Sequence, residues 1–161
     1  MANKTTFKQK RLTKTVFKTL CDMLDDNCVK YTKQKGRLGV SFVLQGDDLP
    51  VPFDVVVDAD LSDILVMSDL PFDIAKERRE ALAVAVCEVN TYIADGCFDF
   101  QYQTGEITFR ISANFSNSII GKGLAEYLVL TTLSTVDEFN EKFLFLSKSD
   151  LTVEQIIAYL R

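Results

Sequence analysis

Histidine and tryptophan are both absent from the 161 residues of this sequence. Without histidine the chain cannot build the Ser–His or Cys–His pairs of nucleophilic catalysis, most catalytic zinc sites, or the common pH switch near neutrality. Proline and glycine are scarce, at three and seven residues, while hydrophobic and charged residues make up 47% and 25%. This composition excludes the disordered, collagen-like and low-complexity classes and indicates an ordinary folded protein with a restricted choice of chemistry.

Long hydrophobic runs are missing as well. The longest stretch free of polar residues, Ala81 to Cys87, is far shorter than the roughly 20 residues of a membrane span. The N-terminal residues are basic but have no apolar segment of the kind found in signal peptides. The cysteines are Cys21, Cys28, Cys87 and Cys97, with no Cys-x-x-Cys spacing among them. We therefore expect free, buried thiols in a cytoplasmic protein that holds no metal and no cofactor.

The length predicts one domain over residues 1–161. Charge is unevenly distributed along it: residues 1–37 carry ten basic and three acidic groups, and the remainder carries eight basic and twenty acidic ones. The two parts therefore have net charges of +7 and −12, and together they give the −5 of the whole chain. We expect a loose basic N-terminus over 1–11, a core over 12–147 and a short C-terminal helix over 148–161.

The acidic part of the chain disfavours nucleic acid and anionic membranes as partners. The basic N-terminal region could instead contact an anionic partner or the acidic surface of another copy, although a merely solvated terminus is the simpler interpretation. Its basic residues are Lys4, Lys8, Lys10, Arg11, Lys14 and Lys18.

Hydrophobic periodicity predicts an α+β fold, with an antiparallel sheet of five to six strands packed by helices. Apolar residues from Val16 to Leu24 lie on one helical face, and Thr13 or Thr15 can cap that helix. Alternating apolar residues then predict three or four strands between residues 29 and 68. A long helix is expected over Ile74–Ala94, followed by a helix-stopping glycine at position 96.

The second half of the chain begins with a hairpin and ends in helices. The register that opposes apolar residues and opposite charges pairs Tyr102 with Ile107, Phe100 with Phe109, Phe98 with Ile111 and Asp99 with Arg110. A helical tail runs from Leu124 to Leu146, with a break expected near Ser134. Thr152 and Gln155 have the spacing of a capping box for one last short helix.

Two motifs resemble ligand sites but do not satisfy their requirements. Asp58, Asp60, Ser62 and Asp69 fit positions of a calcium loop, but the required glycine is replaced by Asp63. An acidic turn is the better interpretation. The segment 121–123, Gly-Lys-Gly, lacks the earlier glycine and the following Ser or Thr of a phosphate loop, so we interpret it as a flexible helix start.

Three polar residues stand out as candidates for binding or structural roles. Asp99 and Arg110 are expected to face each other across the hairpin, where Arg110 could contact an anion or simply form a surface ion pair. Asn90 lies late in an apolar helix, so its amide must find partners in neighbouring backbone or in a ligand. No nucleophile–base pair and no metal-ligand cluster can be argued from the residues.

Four features stand close together in the sequence: an Asn late in the helix at Asn90, a Gly-x-Phe at 96–98, a glycine turn at Gly105 and an aromatic–Arg pair at 109–110. In these features the sequence resembles the YbjN family. Members are described as candidate sensory transduction regulators of bacteria and have no established enzymatic activity. The order of elements is similar to that of the type III secretion chaperones from about residue 12 to 146. Those chaperones form dimers and bind extended segments of client proteins, and the family supplies no catalytic residue.

The leading hypothesis is therefore a non-catalytic protein-binding module of the bacterial cytoplasm, an adaptor, regulator or chaperone-like protein that forms homodimers. A small-ligand sensor or a carboxylate-based enzyme with a pocket near Arg110 is the alternative. Binding of nucleic acid or membrane through the basic N-terminus is the third hypothesis.

Overall fold

The computed structural model describes residues 6–161 as four α-helices and a six-stranded sheet. In chain order, the elements are α1 (Phe7–Asp26), β1 (Tyr31–Lys33), β2 (Gly39–Gln45), β3 (Pro50–Asp58), β4 (Asp63–Asp69), a 3-10 turn (Lys76–Arg78), α2 (Arg79–Val89), β5 (Cys97–Gln101), β6 (Glu106–Asn114), α3 (Lys122–Lys148) and α4 (Val153–Leu160). All strands pair antiparallel in the order β1-β2-β3-β4-β6-β5. The predicted α+β class and the strand number are confirmed.

The helices cover one face of the sheet. Strand residues alternate between buried and partly exposed positions, as is typical of a sheet with one covered face. Helix α1 packs on α3 and β3, α3 lies across β3, β4 and β6, and α2 packs on β5, α3 and α4. In β3 the buried residues are Val51, Phe53, Val55 and Val57.

The first helix begins earlier than the periodicity predicts. It starts at Phe7, and Thr6 caps it: the Thr6 hydroxyl accepts from the Gln9 backbone N–H while the Gln9 side chain accepts from the Thr6 backbone. This capping box satisfies orphan donors where no apolar stripe marks the helix. Thr13 is inside the helix and donates to the Gln9 carbonyl. Residues 7–11 of the expected loose terminus are thus part of a capped helix, and residues 1–5, with Lys4, lie outside the described part.

The second helix is shorter than the predicted span Ile74–Ala94. Ile74 is only 1% exposed, and its N–H donates to the carbonyl of Gly105 instead of beginning a helix. At the other end Asn90 is the C-cap, and the following two N–H groups bond three residues back, which tightens and ends the helix. Docking against the β5–β6 hairpin therefore overrides helical periodicity at the N-terminal end.

The hairpin register differs from the prediction by two residues. Phe98 lies opposite Phe109 and Phe100 opposite Ile107, while Tyr102 belongs to the turn and is 51% exposed. A shift of two residues keeps every apolar side chain on the same face, so alternation cannot distinguish the two registers. The turn decides, because Gly105 has φ +91° and donates to the Gln101 carbonyl.

Arg79 holds this turn against the start of α2. Its guanidinium donates to the carbonyls of Ile74 (3.1 Å), Tyr102 (3.0 Å), Gln103 (2.5 Å) and Thr104 (2.7 Å). The planar fork of arginine suits several carbonyls that converge from two segments. One side chain thus satisfies turn carbonyls that the strand ladder leaves free.

The helical tail is continuous through the expected break. Helix α3 runs unbroken from residue 122 to 148 with Gly121 as its N-cap, so residues 122 and 123 of the expected flexible start already belong to the helix. The Ser134 hydroxyl donates to the Thr131 carbonyl, so the polar residue is accommodated within the helix. The predicted capping box of Thr152 and Gln155 is confirmed at the start of α4.

The cysteines are all free, but only some are buried. Cys21 is buried and Cys97 is half-buried, whereas Cys28 and Cys87 are exposed. Cys28 occupies a turn after α1 with φ +57°, and Cys87 lies on the outer face of α2. The expectation that all four are buried is wrong for these two. Within residues 6–161 no cluster of cysteine and acidic side chains could hold a metal ion.

Candidate partner-binding edge

Asn90 connects the end of α2 to the outer side of strand β5. Its side-chain nitrogen donates to the carbonyl of Phe98 (2.9 Å), and its oxygen accepts from the N–H of the same residue (2.8 Å). Because β5 pairs with β6 through Cys97 and Asp99, the main-chain groups of Phe98 point to the free edge of the sheet. The Asn90 amide therefore occupies the place that a neighbouring strand would take at this position.

Arg110 and Asp99 lie on the sheet face that the helices leave open. They form a hydrogen-bonded ion pair on the diagonal of the ladder, since Asp99 lies opposite Thr108 and Arg110 opposite Cys97. The bond to Asp99 raises the pKa of the Arg110 guanidinium. Both side chains are about half exposed, so the pair is worth at most about 1 kcal/mol. The structure does not bring Asn90 into contact with this pair.

Strand β6 continues past the end of its neighbour. The β5–β6 ladder stops at Cys97 and Arg110, and at Gly96 (φ +84°) the chain turns away from the sheet. The N–H of Leu70 donates to the carbonyl of Ile107, which shows that odd-numbered β6 residues point to β4. Ser112 therefore points to the opposite side, where residue 95 would have paired with it had β5 continued.

The main-chain groups of Ser112 face an empty strand position. Within the described part of the chain, neither its N–H nor its C=O has a hydrogen-bond partner, and the residue is exposed. Asn114 is the next residue whose main-chain groups point to the same side, and its carbonyl accepts a hydrogen bond from the Ser118 hydroxyl (3.2 Å). The vacancy is thus one short stretch of strand edge, centred on Ser112.

A groove of about 430 Å³ runs along this vacant edge. One wall is β6, and the other is the first turns of α3, where Leu124 and Tyr127 are 40% and 46% exposed. The Tyr127 hydroxyl donates to the Asp95 carboxylate (2.5 Å), which raises the pKa of Tyr127 and holds the loop before β5 against α3. The groove therefore offers backbone hydrogen bonds on one side and apolar surface on the other.

The groove has little that would support acid–base catalysis. Asp95 is the single carboxylate among the described residues that line it, and its partner is a tyrosine hydroxyl. Arg110 reaches the groove but is paired with Asp99. What the arrangement can do is bind an extended chain, because a strand edge recognises the polypeptide backbone itself.

The opposite edge of the sheet is less suited to this. Strand β1 is three residues long, and it is bordered or occupied by three exposed lysines, Lys30, Lys33 and Lys35. Short edge strands and lysines are common devices against unwanted strand pairing. The vacant β6 position carries no lysine among its described lining residues.

Solved structures share this architecture. YbjN of E. coli, a candidate transcription regulator, superposes with a TM-score of 0.58 at 13% identity over 78% of this chain and 88% of its own. This protein has the YbjN-like, type III secretion chaperone-like fold. The ExsC–ExsE complex superposes with a TM-score of 0.59 at 14% identity, over 81% of this chain and 94% of its own. The HopA1–SchA chaperone–effector complex superposes with a TM-score of 0.54 at 12% identity, over 82% of this chain and 96% of its own.

The YbjN-like fold confirms the architecture expected from the resemblance. No family model matches the sequence. Among residues 6–161, no helix combines the length and apolarity that crossing a bilayer requires.

The sequence singled out Asn90, Asp99 and Arg110 as candidates for binding or structural roles, but it did not point to Ser112 or to the contact of Asp95 with Tyr127. Apolar and polar side chains alternate along residues 106–114, and this alternation is the same whether or not a neighbouring strand is present. The available signal was Gly96, a stop that lies too close to Phe98 for β5 to match the full length of β6.

Proposed function

We propose that this protein is a non-catalytic protein-binding module that accepts an extended segment of a partner protein at the vacant edge of β6. The observation that carries the proposal is the unpartnered, outward-facing backbone of Ser112 beside the apolar wall of α3. An added strand antiparallel to β6 would satisfy these groups and bury Leu124 and Tyr127. Two structures with this fold are complexes with a second protein, ExsC–ExsE and the chaperone–effector complex HopA1–SchA, which supports the proposal.

Proline at position 112 tests the mode of binding. Ser112→Pro removes the outward N–H and places a ring in the strand slot, while the β4 ladder uses the neighbouring residues. We expect at least a tenfold loss of affinity, about 1.4 kcal/mol, for a partner purified after capture from the native cytosol. Isothermal titration calorimetry with the purified pair gives the affinity, and Ser112→Ala, which keeps the N–H, should bind like wild type.

A second variant covers the case in which proline disturbs the strand. Leu124→Asp places a charge on the exposed groove wall, outside the buried core, and should also weaken binding at least tenfold. Circular dichroism of both variants shows whether the fold is kept. Folded variants that bind the partner as tightly as wild type would contradict strand addition at β6.

We also propose that the module works as a homodimer in the bacterial cytoplasm, where free thiols persist. Isologous pairing is the commonest arrangement of soluble oligomers. Light scattering after size exclusion should give twice the 18.1 kDa mass of one chain. A monomer at tens of micromolar would rule out the dimer without affecting the peptide-binding proposal.

A further inference from the structure

The outer side of α1 carries an unusual stripe of basic residues, which we call the basic stripe. It comprises Lys10, Arg11, Lys14 and Lys18, which follow Phe7 at intervals of three and four residues and therefore share one face of the helix. Of these four stripe residues, only Lys18 forms an ion pair within the described part of the chain, with Asp22 (2.5 Å). Three neighbouring cations are thus left without a carboxylate partner.

This arrangement is unfavourable for the helix itself. The N-terminus of a helix carries a positive partial charge, which favours acidic residues in the first turn, yet the first turn of α1 has none. Lys10 and Lys14 are four residues apart, as are Lys14 and Lys18, so like charges repel along the stripe. A surface that costs helix stability in this way points to a compensating anionic partner.

The stripe borders a groove with an apolar floor. The groove, of about 330 Å³, lies between α1 and two loops of the sheet that contribute Leu38 and Ala59. Phe7 projects at its rim and is 86% exposed, the largest exposed fraction among the described large hydrophobic side chains. Lys10, Arg11 and Lys14 line the same groove. Apolar and cationic contacts are therefore available to one ligand at the same time.

The charge around the groove favours a short acidic peptide over a polyanion. Residues 38–161, which form the rest of the molecule, carry a net charge of −12. A nucleic acid or an anionic bilayer extends well beyond the stripe and would meet this acidic surface. From Phe7 to Lys18 the helix rises only about 16 Å, the length of about five residues of extended peptide.

We propose that the basic stripe and its groove form a second docking site, which binds a segment of about five residues from a partner protein, rich in Asp or Glu and carrying one large apolar side chain. The carboxylates lie against Lys10, Arg11 and Lys14, and the apolar side chain rests on Phe7 and Leu38. This site shares no residue with the β6 edge, and the proposal stands or falls independently of strand addition there.

Fluorescence anisotropy with a labelled peptide, Asp-Glu-Phe-Asp-Glu, tests the site on the full chain. We expect a Kd below about 100 μM at low salt and a loss of affinity of at least tenfold at about 0.5 M NaCl. The isosteric Asn-Gln-Phe-Asn-Gln peptide should bind at least tenfold more weakly. Absence of binding up to about 1 mM, or equal affinity for the neutral peptide, would overturn the proposal.

Charge reversal locates the binding. The triple variant K10E/R11E/K14E should lose at least tenfold in affinity, whereas K33E/K35E/K76E, with the same change of net charge at exposed positions elsewhere, should lose less than threefold. Circular dichroism should show that the first variant stays folded, since a glutamate at position 14 attracts Lys18 while the glutamates at positions 10 and 14 repel much as the two lysines do. Equal losses in the two variants would mean that the peptide responds only to net charge.

Other occupants give distinct results. Preferential binding of a short DNA duplex or of phosphatidylserine vesicles, with no peptide binding, would replace this proposal by a different one. A change of oligomeric state in K10E/R11E/K14E would identify a second copy of this chain as the occupant and would likewise overturn it. Ser112→Pro should leave the affinity for the acidic peptide unchanged, which separates this test from that of the β6 edge.

Discussion

Replacing Gly105 with alanine is expected to lower the free energy of unfolding by about 3 to 4 kcal/mol. At φ +91° an added side chain is strained, which accounts for about 1 to 2 kcal/mol. The new Cβ would also lie 2.3 Å from the carbonyl oxygen of Ile74 and 3.0 Å from its nitrogen. Because both are backbone atoms, the segments must separate, which weakens the hydrogen bond from the Ile74 N–H to the Gly105 carbonyl.

The chain contains a matched control for this prediction. Gly36 has φ +83°, but a Cβ there would meet no atom within 4 Å. Gly36→Ala should therefore show the conformational cost alone, about 1 to 2 kcal/mol. Urea unfolding followed by circular dichroism measures both. Equal decreases in the free energy of unfolding would show that the contact between the hairpin turn and Ile74 adds nothing to the conformational cost.

Phe143→Ala is expected to destabilise the protein by about 3 to 5 kcal/mol. Phe143 is fully buried, and its ring lies 5.2 Å from that of Phe98 in an edge-to-face arrangement and 6.3 Å from that of Phe139. Truncation leaves a cavity where α3 packs against Phe98 of β5.

Phe145, two residues later on the same helix, provides the comparison. It is 50% exposed and contacts Tyr159 of α4 with ring centroids 5.2 Å apart. Phe145→Ala should cost about 1 kcal/mol or less. Thermal unfolding of both variants tests the pair, and similar losses would mean that the buried aromatic cluster contributes no more than a surface contact. The two residues thus divide the aromatic-rich end of α3 into core and surface.

Hydrophobic periodicity was sufficient to predict a helix or strand wherever its buried face can be read from that element alone. The strands from 39 to 69, the hairpin 97–114 and the helical tail were all predicted from alternation or helical spacing. The predicted hairpin register was wrong because two registers place the same apolar residues on the buried face. A two-residue shift of the hairpin preserves its apolar face, and only the turn at Gly105, docked on Ile74, selects between the registers.

The candidate site shows the same limit. The need of Asn90 for hydrogen-bond partners was readable from an amide late in an apolar helix, but the identity of its partner, the edge of β5 at Phe98, was not. The vacancy at Ser112 depends on where the neighbouring strand stops, and that is a relation between two segments with no residue type of its own. Likewise, the capping box at Thr6 extends α1 through residues that lack an apolar stripe.

The Arg79 guanidinium has a consequence for the order in which the chain acquires structure. Its donors reach three consecutive carbonyls of the β5–β6 turn from a helix more than 20 positions earlier. The hairpin alone cannot complete this network, so the turn and α2 should form one cooperative folding unit and open together. In native-state hydrogen exchange, the amides of Gly105 and of the first α2 turn should then report the same opening free energy, whereas β1, at the far edge of the sheet, exchanges by separate fraying.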